Sequence, residues 1–375
     1  MSKEKKKLGF SAHIITVLFV AVGAVCGAIM AQRVFLTDLS GADGLFRLAM
    51  LFICFYIAFY AQVIIHEGGH LIFGLISGYR FSSFRIGSLM LIKGTDSRLS
   101  IKKFKLAGTG GQCLMSPPEL KDGLIPYRLY NLGGSILNLV SAAIFLGLSL
   151  LFPEVSLIGT AFLLFAVLGL AFALINGVPL HTPMIDNDGY NAISLGKDPA
   201  ALYAFYLQLK VNEMQTHNIR LKDMPEEWFE LPQKEKLNNP IIAACAVNTA
   251  SCLIDKGELI EALGLIDSLL SSKTAIVGIH RAMLKNDLIY LKLVLGYDTE
   301  SIETLLDEQQ KKFMRSMKAF PAIIRTGYAV ALLYKNDIIA AQKAYDQFSR
   351  VSKTYPYKGD LEGERELLQK ASEKL

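Results

Sequence analysis

One tryptophan, Trp228, and five cysteines are spread over 375 residues, and only 19% of positions carry a charge. Cys26, Cys54, Cys113, Cys245 and Cys252 form no C-x-x-C pair, and at least two of them fall in apolar runs. That spacing excludes both a disulfide framework and a zinc knuckle, and the thiols read as reduced small hydrophobes. No basic tract suits a nucleic acid either. The net charge of +5 belongs to residues 1–190, with 15 Lys and Arg against 10 Asp and Glu, whereas residues 191–375 balance at 24 against 24. A basic excess confined to loops between apolar runs sets membrane orientation, so nucleic acid is not an expected partner.

What the chain has in abundance is apolar sequence. Hydrophobic residues make up 52% and the mean hydropathy is +0.35, too apolar for an ordinary soluble enzyme. Four runs are long enough to cross a bilayer: Phe10 to Ala31, Leu45 to Leu75, Leu132 to Phe152 and Ile158 to Val178. Lys3, Lys5, Lys6 and Lys7 precede the first run. Its length exceeds a signal-peptide core, so it reads as a retained anchor with a cytoplasmic amino terminus. The loop from Tyr79 to Tyr130 holds nine Lys and Arg against three acids, which places it on the same side. Four spans without a second repeat half argue against a transporter.

Between Leu45 and Ile65 the only charge is Arg47; then His66, Glu67 and His70 arrive within five positions. Ionisable groups at membrane depth cost a few kcal/mol each unless paired or bound to a metal, so they mark function. The pattern is H-E-x-x-H. On a helix its two histidines project from one face, one turn apart, and can grip one zinc ion, and Glu67 is placed as general base for hydrolysis. Gly68, Gly69, Gly74 and Gly78 lower the bulk of this helix, either to admit water and substrate or to let helices pack.

Within the basic loop, Phe84 to Ile92 and Arg98 to Leu106 flank the turn-like Lys93-Gly94-Thr95-Asp96 and predict one β-hairpin near the membrane surface. Its edge could accept an unwound substrate strand, or the hairpin simply packs on the helices. The fourth run ends in Asn176-Gly177-Val178-Pro179, and Pro179 breaks the helix near the depth of the histidines. Beyond residue 190 the chain becomes polar and helix-rich. Ala250, Leu253, Gly257, Ala262 and Ile266 share their spacing with Ala329, Leu332, Asn336, Ala341 and Tyr345, 79 residues on. That spacing describes paired helices of an irregular, tetratricopeptide-like array, or else a generic helical bundle, and such a concave surface would take a regulatory protein or the substrate.

Together, His66-Glu67-Gly68-Gly69-His70, then Gly134 with Asn138, then Asn176-x-x-Pro179 leading to Asp188-Gly189, resemble the site-2 protease family of intramembrane zinc metalloproteases. The resemblance covers residues 45–190. It implies that the third zinc ligand is the aspartate of the Asp-Gly pair, Asp188. Two departures stand out: Asn187 precedes that aspartate where many members carry Leu, and the stretch from Asn176 to Asp188 is longer than in the compact family version. Asp186 is therefore a rival ligand, although Gly189 after Asp188 favours the latter. Residues 191–375 lie outside the analogy. Asn176 is the candidate for hydrogen-bonding the substrate backbone or the developing oxyanion; Asn138 is read chiefly as packing.

The expected architecture is thus an all-α polytopic membrane protein with about four transmembrane helices, a small cytoplasmic β-hairpin insertion and a C-terminal helical, tetratricopeptide-like domain. Its domains are the tail and first anchor (1–44), the protease core (45–190, with the basic cytoplasmic loop 79–130) and the cytoplasmic helical domain (191–375). The expected protein is a multi-pass protein of the plasma membrane with both termini cytoplasmic and one zinc per chain. It would cut membrane-anchored proteins or peptides near the cytoplasmic face. The alternative is a non-catalytic membrane adaptor that keeps the protease fold.

Overall fold

A computed structural model describes residues 3–35, 41–94, 98–104, 110–181, 186–297 and 299–374, without the side chains of 3–15 and 299. The chain is 73% helical. It divides into two compact units, one of residues 1–80, 110–113 and 125–198, the other of residues 81–109, 114–124 and 199–375.

The first unit is built on four helices, α1 (Lys3–Phe35), α2 (Gly41–Ile76), α3 (Tyr127–Ser149) and α4 (Leu157–Gly177). Each is long and apolar enough to span a membrane, α1 from Thr16 onward, and each matches one apolar run of the sequence to within a few residues. Outward-facing Phe52, Ile53, Ile57, Ile64, Ile144, Leu170 and Leu174 are exposed, as a lipid-facing surface requires. Inside, Cys26, Met30, Leu51, Ala58, Leu164 and Leu168 form a buried apolar cluster. At one end, Arg33 Nη1 donates to the carbonyl of Glu154 (2.8 Å) and Arg47 Nη2 to that of Val155, closing the short α3–α4 turn. At the other end α2 and α3 are nearly in backbone contact. A Cβ built on Gly69 would lie 2.2 Å from the carbonyl oxygen of Gly133, and one on Gly133 2.5 Å from that of Gly69. Gly69 is therefore a packing glycine, whereas Gly78 has φ +85° and ends the helix in the left-handed region.

The basic loop forms four strands instead of one hairpin: β1 (Arg80–Ile86), β2 (Leu89–Lys93), β3 (Leu99–Lys103) and β4 (Gly111–Ser116), in the order β3-β2-β1-β4. Ile86 pairs with Leu89 and Leu89 with Lys103 in antiparallel ladders. The run Phe84 to Ile92 was expected to be one strand, but Gly87, at φ +58°, turns the chain after Ile86. The expected turn falls partly on residues 95–97, and the end of the expected second strand on 105–106, outside the described residues.

The rest of the second unit is helical. A short helix, α5 (Asp188–Ser194), closes the first unit. Beyond it come α6 (Pro199–Thr216), α7 (Pro240–Lys256), α8 (Leu259–Ser271), α9 (Gly278–Leu295), α10 (Thr299–Leu305), α11 (Glu308–Ser316), α12 (Pro321–Ala329), α13 (Ile338–Ser352) and α14 (Lys358–Ser372). Helix pairs stand at both windows of the repeated spacing. Gly257 (φ +84°) turns α7 into α8, and Asn336 (φ +52°) precedes α13. Ala250, Ala262, Ile266, Ala329, Leu332 and Ala341 are buried, while Tyr345 is half-exposed. Met90 and Ile92 of β2 and Phe104, just after β3, pack with Ile324, Phe348, Tyr355, Tyr357 and Leu361.

A buried charge cluster sits among these helices. Arg325 Nε lies 3.0 Å from Glu364 Oε2, and Arg325 Nη2 donates to Asp287. Burial pushes the carboxyls of both Asp360 and Glu364 up to about 7. An acid whose folded pKa is raised adds stability that is complete below its unfolded pKa and is lost as pH climbs through the folded one. The second unit is therefore expected to weaken by a few kcal/mol between about pH 4 and 8. Trp228, the sole tryptophan, lies in this unit and reports on it alone. Its fluorescence should show a lower urea midpoint at pH 8 than at pH 5.5; equal midpoints would contradict the assignment.

Candidate metal centre

His66 and His70 project from α2 one turn apart, and Asp188, the first residue of α5, meets both. Their facing Nε2 atoms are 3.2 Å apart, and Asp188 Oδ2 lies 3.1 Å from His66 Nε2 and 3.3 Å from His70 Nε2. Among the described residues this is the group of three that could hold a metal ion. Both histidines and Glu67 are buried.

The carboxylate is held there by Asn187, the residue that departs from the family pattern. Asn187 Oδ1 accepts from the backbone N–H groups of Leu180 (2.9 Å) and Tyr190 (3.0 Å). Its Nδ2 donates to the carbonyls of Ile175 (2.8 Å) and Val178 (2.6 Å). One side chain thus caps α5 and ties it to the end of α4 across the Pro179 break. Gly189 serves close approach, not an unusual φ: a Cβ there would lie 2.1 Å from the carbonyl oxygen of Gly177. Gly134 does the same for the imidazole, since its Cβ would sit 2.5 Å from His66 Cε1.

The hydrogen bonds behind the ring nitrogens decide what faces the centre. His70 Nδ1 lies 2.8 Å from the carbonyl oxygen of Tyr130, which can only accept, so Nδ1 carries the hydrogen and Nε2 presents a lone pair. His66 Nδ1 lies 2.7 Å from Asn138 Oδ1. With both imidazoles neutral in that tautomer, two lone pairs and a carboxylate oxygen converge at hydrogen-bond distance. One added proton could satisfy one contact but not all three. A cation at the common point satisfies all, and two nitrogens with one carboxylate oxygen suit zinc with an open fourth position.

Glu67 lies on the strand side of this centre. A Cβ on Gly111, at the start of β4, would be 2.6 Å from Glu67 Oε1, so the strand backbone runs directly over the carboxylate. Asn176 is on the last turn of α4, where its Nδ2 donates to the carbonyl of its own Phe172 (3.0 Å). Asp186, the rival ligand, accepts from His181 Nδ1 at 2.6 Å instead of joining the cluster. Asn138, read from sequence as packing, is fully buried and touches His66 directly. Gln62, Ser141, Gly111 and the Tyr130 carbonyl were not singled out from sequence. Gln62 stands one turn before His66 and Ser141 three residues after Asn138, so helical spacing from known site residues is the signal that reaches them.

Two histidines one turn apart on α2 and the aspartate that opens α5 make up a group able to hold a metal ion, of the kind metallohydrolases use. The model of peptidase family M50 matches residues 54–345, well over half of the chain, and the chain belongs to that family. The family's members are zinc metalloproteases of the membrane. The match continues past residue 190 into the helical tail, farther than the resemblance drawn from the motifs. No curated protein and no solved structure matches the chain.

Proposed function

We propose that the chain is an intramembrane zinc endopeptidase that cleaves membrane-anchored proteins or peptides near the cytoplasmic face of the plasma membrane, with both termini cytoplasmic. The observation that carries the reading is the convergence of His66 Nε2, His70 Nε2 and Asp188 Oδ2 to within 3.3 Å of one another. His66, His70 and Asp188 would hold one zinc per chain. When bound, zinc supplies Lewis acidity towards a carbonyl and lowers the pKa of water towards neutrality. Glu67 takes the proton from the attacking water and returns it to the leaving amine. Its burial beneath the β4 backbone at Gly111 limits the solvent that reaches that carboxylate. Asn176 binds the substrate backbone or the developing oxyanion, exchanging its bond to Phe172 for one to substrate. The substrate helix must unwind first, because a helical peptide bond is shielded. The helical domain of residues 191–375 recruits substrate or a regulatory protein.

Metal analysis of the purified protein tests the reading. About one zinc per chain is expected in the wild type, and replacing His70 with Ala should weaken binding by at least ~100-fold, since a ligand itself is lost. A wild-type protein without stoichiometric zinc would overturn it.

A further inference from the structure

A fully buried polar side chain in a lipid-spanning helix bundle needs partners, and Gln62 has three. It stands on α2 one turn before His66 and is completely buried, as is Asn138 on α3. Gln62 Nε2 donates to the carbonyl of Phe165 on α4 (2.9 Å), and its Oε1 accepts from Asn138 Nδ2 (2.8 Å) and Ser141 Oγ (3.1 Å). Asn138 Nδ2 also donates to the main-chain carbonyl of Gln62 (3.0 Å). Gly169 leaves room for this side chain on α4, where a Cβ would lie 2.9 Å from Gln62 Nε2.

Oxygen and nitrogen of an amide are interchangeable in shape, so their assignment must come from partners of fixed character. Here two main-chain carbonyls provide it. The Phe165 carbonyl can only accept, which fixes Gln62 with nitrogen towards α4 and oxygen towards α3. That oxygen and the Gln62 carbonyl both demand donors, which fixes Asn138 with its nitrogen towards Gln62. Asn138 Oδ1 is then left facing His66 Nδ1 at 2.7 Å, and the imidazole must carry its hydrogen there. We infer that Gln62, with Ser141, is a positioning residue: it passes the polarity of the α4 main chain through Asn138 and holds His66 in the tautomer whose Nε2 lone pair points at Asp188 and His70. His70 reaches the same tautomer through one direct carbonyl, whereas His66 depends on a relay across three helices. Partners behind a metal-binding histidine fix its tautomer and orientation and raise its basicity.

The inference rests on the zinc-binding reading, and a set of variants separates the two. Gln62→Met keeps the volume and removes the amide. Gln62→Glu, neutral in this apolar setting, restores one donor towards Phe165 and one acceptor towards Asn138. Zinc affinity is measured by competition with a chelator on full-length protein in detergent, and the His66 tautomer by nitrogen-15 NMR of the metal-free protein. Gln62→Met is expected to weaken zinc binding about 10-fold, the low end for partners behind a ligand. It should also populate the second His66 tautomer, while Gln62→Glu stays within about 2-fold of wild type with one tautomer, as the retained pattern of donors and acceptors requires. A Gln62→Met protein that binds zinc like wild type, or a Gln62→Glu protein as weak as Gln62→Met, overturns the relay. Failure of the wild type itself to bind zinc would instead overturn the proposed function.

Discussion

Replacing Glu67 with Gln is expected to abolish cleavage while leaving zinc in place. The exchange keeps the side chain's size, so the buried space under Gly111 stays filled, and it removes the carboxylate proposed to take a proton from the attacking water. His66, His70 and Asp188, which would gather the metal, are untouched. Loss of a general base costs a factor on the order of 10²–10⁴, so turnover should fall below detection in membranes. The check compares membrane proteomes of cells carrying wild type and Glu67→Gln: a single-span protein should persist uncut only in the variant, with the metal content of the two purified proteins equal. The same comparison separates this function from the adaptor reading. An adaptor would keep its cellular phenotype with Gln at 67, and no membrane protein would accumulate.

The helices and the histidine pair were legible because both are local. An apolar run of about 20 residues and a four-residue interval need only hydropathy and helical geometry. The third candidate metal-binding residue was legible only through the family resemblance, since Asp188 lies 118 positions after His70 and nothing local says that they meet. Of the strands, β3 was legible within the run Arg98 to Leu106, whereas β1 and β2 read as one apolar stretch because the turn between them rests on Gly87 alone, and β4 was not foreseen. The polar relay behind His66 was hidden for a different reason. Gln62, Asn138 and Ser141 sit among apolar neighbours as isolated polar residues, and sequence cannot tell a packing asparagine from one that faces an imidazole. Asn187 shows the converse: what looked like a departure from the family pattern makes four hydrogen bonds that hold Asp188 in place.

The two glycines inside the motif itself should behave in opposite ways. A Cβ on Gly68 would meet only Leu137 Cδ2, at 4.0 Å, which is ordinary contact. Gly68→Ala is therefore expected to fold and bind zinc normally, with stability changed by no more than about 1 kcal/mol through helix propensity. A Cβ on Gly69 would lie 2.2 Å from the Gly133 carbonyl oxygen and 2.7 Å from Gly134 Cα, all backbone, and no rotamer change can relieve it. Helices α2 and α3 would have to part, carrying Asn138 away from His66 and the Tyr130 carbonyl away from His70. Gly69→Ala should thus lose at least about 2–3 kcal/mol of stability, the cost of overpacking a close contact, and should lose zinc along with it. Thermal unfolding in detergent and metal content of both variants, measured side by side, check the contrast. If Gly69→Ala kept its zinc, or Gly68→Ala were equally damaging, the close approach of α2 and α3 would not be what positions the two imidazoles.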